Sequence, residues 1–100
     1  MNNQYDNLLS AIHALERGGY VDTLLFVNNM LYNATTGEKY GAEDVDILEF
    51  HRFEGDSGYD DMAILYAVET NDGTKGLIID AYGTYADQDL GEFMRLTQVR

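Results

Sequence analysis

The chain has 100 residues, 18 of them acidic and 6 basic, for a formal charge of −12 at pH 7. That charge repels nucleic acid and anionic membranes, whose binding rests on Lys and Arg displacing counterions, so neither is expected as a partner. Cysteine and proline are absent, which excludes disulfides, thiolate metal sites and thiol nucleophiles and leaves every turn to Gly, Asn, Asp or Ser.

A chain of this size buries enough surface for one core, so residues 1–100 are expected to form a single domain. Its aromatic side chains are eight Tyr and four Phe. Tyrosine brings apolar area together with a hydroxyl that wants a partner or water, which suits half-exposed sheet faces and subunit contacts. The first residues, MNNQYDNLLS, carry no basic stretch followed by an apolar one. No apolar run approaches the ~20 residues of a spanning helix. Cytoplasmic residence is the expectation.

Tyr5, Leu8, Leu9, Ile12 and Leu15 fall at helical spacing, with Asn7, Ser10, His13, Glu16 and Arg17 opposite. This predicts an amphipathic helix of about three turns, capped by Asn2 or Asn3 and ended by Gly18-Gly19. Thr23 to Val27 and Met30 to Tyr32 then read as a hairpin around Asn28-Asn29. Asn33 to Asp44 is polar and irregular, with room for one helical turn at Ala42-Glu43-Asp44.

Ile47 to Glu54 carries apolar residues on both alternating faces, Ile47 and Phe53 on one and Leu48 and Phe50 on the other, so it belongs inside a sheet. Met62 to Thr70 and Lys75 to Tyr82 are the strongest strand signals. Asp72-Gly73 between them suits a two-residue turn, which sets Val68 against Leu77, Tyr66 against Ile79 and Leu65 against Asp80. Asp87 to Val99 reads as a second helix capped by Asp87 or Asp89. The expected fold is α+β: a mostly antiparallel sheet of about five strands with an N-terminal and a C-terminal helix, in two layers.

Two groups of side chains are candidates for chemistry. Glu54-Gly55-Asp56-Ser57-Gly58-Tyr59-Asp60-Asp61 gathers hard oxygen ligands, and Asp56, Asp60 and Asp61 are the candidates for holding Mg²⁺ or Ca²⁺. The same residues in a solvated loop would simply bond local amides. His51, Arg52, Glu54 and Asp80 are placed to meet near one sheet edge, where a carboxylate orients an imidazole as base, or where Arg52 pairs with Glu54 or Asp80. Tyr82 and Tyr85, beside Gly83 at a strand end, would wall such a pocket. No nucleophile with its base, phosphate-cradling glycine loop or zinc motif is present.

The strings FHRFEGDSGYDDMAILYAVET and DGTKGLIIDAYGTYAD resemble a family of small bacterial proteins that carry RFEG, a Ser/Asp-rich loop, LYA and DAYG in this order. The resemblance starts from the helix ending in Gly18-Gly19-Tyr20 and spans nearly the whole chain. Some members bear the name phosphoribosylpyrophosphate synthetase. Enzymes of that kind resemble two fused domains with paired acids, Thr and Gly after an apolar strand. Here Leu77-Ile78-Ile79-Asp80 is followed by Ala81-Tyr82-Gly83-Thr84, which departs from that pattern.

The function expected from the sequence is a non-enzymatic binding or self-assembly module needing no cofactor, a homodimer formed by a sheet face its two helices cannot cover. The alternative is a metal-dependent binder or enzyme for a small or phosphorylated molecule, using His51, Glu54 and Asp80.

Overall fold

The computed structural model describes residues 7–55, 58–81 and 87–99, with side chains for all of these except 54–62 and 81. The elements are α1 (Leu8–Arg17), β1 (Asp22–Val27), β2 (Met30–Asn33), β3 (Lys39–Tyr40), a 3-10 turn (Ala42–Asp44), β4 (Val45–Gly55), β5 (Gly58–Thr70), β6 (Lys75–Ala81), α2 (Gln88–Leu96) and β7 (Gln98–Val99). The strands form one sheet in the order β3-β2-β1-β6-β5-β4-β7.

This corrects the expected architecture. The sheet has seven strands and is mixed, because β1 runs parallel to β6 and β7 parallel to β4, and it curls into a half-barrel. Cross-strand periodicity marks strands but carries no record of which distant strand lies alongside, so both parallel pairings escape a local reading.

The helices lie on opposite faces, giving three layers where two were expected. Ala11 and Leu15 of α1 pack with Tyr20, Phe53, Leu65 and Ala67 on the outer face. On the inner face, Leu90, Phe93 and Met94 of α2 pack with Leu24, Leu31, Val45, Ile47, Val68 and Ile78. The Phe93 ring meets Phe26 edge-on at 5.4 Å between centroids. Leu31, Val45, Leu65 and Val68 are fully buried, each stabilising the fold by roughly 1.5–3 kcal/mol.

Local chemistry explains the boundaries. Asn7, not Asn2 or Asn3, caps α1 by accepting the Ser10 N–H at 2.8 Å; Asn2, Asn3 and Tyr5 lie outside the described residues. The helix ends as expected: Gly19 takes φ +106°, the Tyr20 N–H donates to the Leu15 carbonyl, and that of Gly19 to Glu16. Leu15 and Tyr20, on either side of the reversal, belong to the same buried cluster. Asp87 caps α2 by accepting from Asp89 and Leu90. Helix α2 stops at Leu96, where the Thr97 hydroxyl bonds the Met94 carbonyl, and the chain then extends as β7.

Two local irregularities overturn the expected side-chain faces. The β5–β6 loop holds three residues: the Thr70 N–H donates to the Thr74 carbonyl and the Gly73 N–H to that of Thr70, with Gly73 at φ +88°. This is a turn closed by a glycine bulge, and it shifts the hairpin by one residue. Val68 therefore faces Gly76, Tyr66 faces Ile78, and Ile64 faces Asp80. In β4 the register with β5 slips between Ile47 and Glu49. Ile47 and Phe50 consequently share the inner face, and Leu48 and Phe53 the outer one.

Candidate functional site

An open cleft of about 360 Å³ lies on the inner face between α2 and the end of the sheet nearest β7. Strand β4 supplies Ile47, Phe50 and Arg52, and β5 supplies Ile64 and Tyr66. Gly91, Met94 and Arg95 come from one stripe of α2, and Val99 from β7 closes the side. The bulge in β4 creates this wall, since strict alternation would separate Ile47 from Phe50.

Gly91 lines the cleft and is exposed, and a Cβ built on it meets no atom within 4 Å. Glycine inside a helix costs about 0.5–1 kcal/mol relative to alanine. The helix carries that cost while the sheet beneath stays accessible.

The polar side chains of the cleft are two guanidiniums and a phenol. Arg52 rises from the sheet and Arg95 from the helix, both exposed. Arg95 is paired with Glu92 one turn earlier, an exposed contact worth a few tenths of a kcal/mol. Burial pushes the Tyr66 phenol above its ordinary value of 10.0; the Asp80 carboxylate adds to this and Arg52 opposes it. Tyr66 is therefore a neutral hydroxyl throughout the ordinary pH range, able to donate.

The expected grouping is divided. Arg52, Ile64 and Asp80 form one cross-strand row, so Arg52 and Asp80 do share the inner face, two strands apart. Asp80 accepts the Asp87 N–H at 3.1 Å and so anchors the start of α2. His51 pairs with Leu65 on the outer face, is 5% exposed, and its Nε2 lies 3.0 Å from Glu49 Oε1. Strand alternation thus removes His51 from Arg52 and Asp80.

Glu54 ends β4 with its side chain outside the described set, and Tyr82 and Tyr85 lie outside the described residues. Asp56 does as well. The backbone at Asp60 and Asp61 belongs to β5, not to a loop, and their side chains are not among those described. Among the described residues no group of three or more metal-binding side chains stands together.

Tyr66, Gly91 and Arg95 were not singled out from the sequence. Spacing did contain one signal, since Gly91, Met94 and Arg95 lie three and four apart and therefore on one helical face. Comparison with protein families, with curated proteins and with solved structures returns no match to this chain.

Proposed function

We propose that the chain is a cytoplasmic binding module, non-enzymatic, whose inner-face cleft receives a small molecule. The observation that carries this reading is Gly91: an exposed, helix-interior glycine with open space where its side chain would be, lining the same cleft as Ile47, Phe50 and Ile64. Apolar walls with a few polar groups are the usual composition of a ligand site. The cleft's guanidiniums and phenol are hydrogen-bond donors, which bind and orient.

The synthetase activity attached to the resembling family is not carried over. A diphosphoryl substrate and its metal ion need convergent carboxylates, and no described carboxylate lines the cleft. The metal-dependent alternative draws on His51, Glu54 and Asp80, and His51 stands on the opposite face of the sheet from Asp80; the side chains of the cation candidates Asp56, Asp60 and Asp61 lie outside the described set.

A second reading, self-association, is supported by a strip of the outer face that α1 leaves bare: Leu25, Val27, Met30 and Ile79 are 41, 45, 37 and 49% exposed. Together they offer roughly 300 Å², the size of the largest apolar patch on ordinary monomers and well below the ~800 Å² per partner of a standard interface. Ligand binding therefore comes first.

Thermal shift across small organic acids, organophosphates, Mg²⁺ and Ca²⁺ tests these readings by linkage. A rise of a few degrees with an organic ligand, lost in Gly91→Leu, is expected. A rise with the cations alone favours the metal reading. Silence across the panel, with light scattering near twice the 11.3 kDa chain mass, favours self-association.

A further inference from the structure

We infer that the ligand of this cleft is an amphiphilic monoanion, an aryl or acyl body bearing one carboxylate, sulfonate or phosphodiester head. The inference rests on the small-molecule reading above and assigns its chemical class. The chain carries only six Lys and Arg against eighteen acids, yet two of those six stand at the rim of one apolar cleft, on facing walls. A head group between Arg52 of the sheet and Arg95 of the helix meets two guanidinium forks, which suit a planar or tetrahedral oxyanion.

Tyr66 adds a third donor. Its hydroxyl is an ordinary phenol, protonated near neutral pH, and burial and then Asp80 push its pKa further up, so it can donate to an anion without competing for the charge. The Arg95–Glu92 pair is exposed on both sides, so an incoming oxyanion displaces it at little cost.

The body of the ligand is fixed by the walls and the size. Ile47, Phe50, Ile64 and Met94 provide apolar surface. The 360 Å³ of space is at the small end of ligand pockets, room for about twenty heavy atoms. A polyanion does not fit the electrostatics: Glu92 is paired with Arg95, and Asp80 shares a cross-strand row with Arg52, so each charge beyond the first meets repulsion as well as attraction.

Two fluorescent probes that share a ring system isolate the head group: 8-anilinonaphthalene-1-sulfonate and its neutral counterpart N-phenyl-1-naphthylamine. Titrated into the folded chain, the sulfonate is expected to bind on the order of tenfold tighter than the neutral probe. Arg52→Gln and Arg95→Gln should each weaken the sulfonate several-fold and leave the neutral probe unchanged. Gly91→Leu should weaken both, with the melting temperature measured for every variant to confirm folding.

Loss of the cleft and loss of the anionic preference give different readouts. Equal binding of both probes, with both lost in Gly91→Leu, retains the cleft and overturns the anionic class. A sulfonate preference that survives both arginine variants overturns it too. Binding of neither probe, or binding indifferent to Gly91→Leu, removes the cleft reading itself.

Discussion

The Tyr40 hydroxyl donates to Asp72 Oδ2 at 2.7 Å, joining the edge strand β3 to the β5–β6 loop across 32 residues of sequence. The same carboxylate accepts the Thr70 hydroxyl at 2.6 Å and the Thr74 N–H at 3.1 Å through Oδ1. Beside it, the Asn71 amide donates to the Asp44 carbonyl and its side chain to the Asp44 carboxylate. The 3-10 turn and β3 are thereby tied to a loop between two central strands, which holds one end of the curled sheet closed.

Removing the tie should loosen that end. Tyr40→Phe keeps the buried ring and deletes one donor, and is expected to lower the melting temperature by about 5 °C. The effect should depend on acid. Donors from Thr70, Tyr40 and Thr74 hold the Asp72 carboxyl well below its ordinary value of 3.8. A depressed folded value means the contribution is complete above that ordinary value and fades as pH falls toward the folded one. The gap between wild type and Tyr40→Phe should therefore be full at pH 6 and shrink below about pH 4. A gap that widens in acid would contradict the assignment.

Gly76 decides the parallel pairing. It sits opposite Asp22 in the β1–β6 register, and a Cβ placed on it would lie 2.5 Å from the Asp22 carbonyl oxygen and 3.0 Å from a Leu24 methyl. The Asp22 carboxylate also accepts the Lys75 N–H at 3.0 Å, locking the strands at that spacing. Gly76→Ala must push β1 away and is expected to cost about 2–3 kcal/mol. Hydrogen exchange should localise the damage: amides of β1 and β2 lose protection while those pairing β4 with β5 keep theirs.

His51 tests the division of faces. It packs on the α1 side of the sheet, 6.4 Å from the Phe53 ring, and bonds Glu49. His51→Ala is expected to destabilise by about 2 kcal/mol through lost packing and a lost, partly buried hydrogen bond. Affinity for the anilinonaphthalene probes should stay within twofold, because the inner cleft is reached only from the other face. A larger loss of affinity than of stability would restore the sequence's grouping of His51 with Arg52.

These cases show where sequence was sufficient. Asn28-Asn29 was readable because both residues must take positive φ, and they do, at 53° and 63°, closing Val27 against Met30. Asp72-Gly73 has the same kind of signature, but only Gly73 takes positive φ. Asp72 instead turns its carboxylate onto Thr70 and Thr74, a choice made by side-chain acceptors that turn statistics do not weigh. The shared face of Arg52 and Asp80 survived the resulting slip, and their partnership with His51 did not. The cleft required the β4 bulge and the seating of β7, neither of which leaves a periodic trace.

Gly91 brings stability and binding into opposition. Because a methyl at this position touches nothing within 4 Å and the residue is interior to α2, Gly91→Ala should stabilise the fold by about 0.5–1 kcal/mol. Chemical denaturation should register this as a higher midpoint with an unchanged slope, since the exposed area of unfolding barely alters. Gly91 lines the cleft, so probe affinity should fall by a smaller factor than in Gly91→Leu. A helix glycine kept for space should yield more stability and less binding in one substitution; if alanine raises both, the glycine is not there for the ligand.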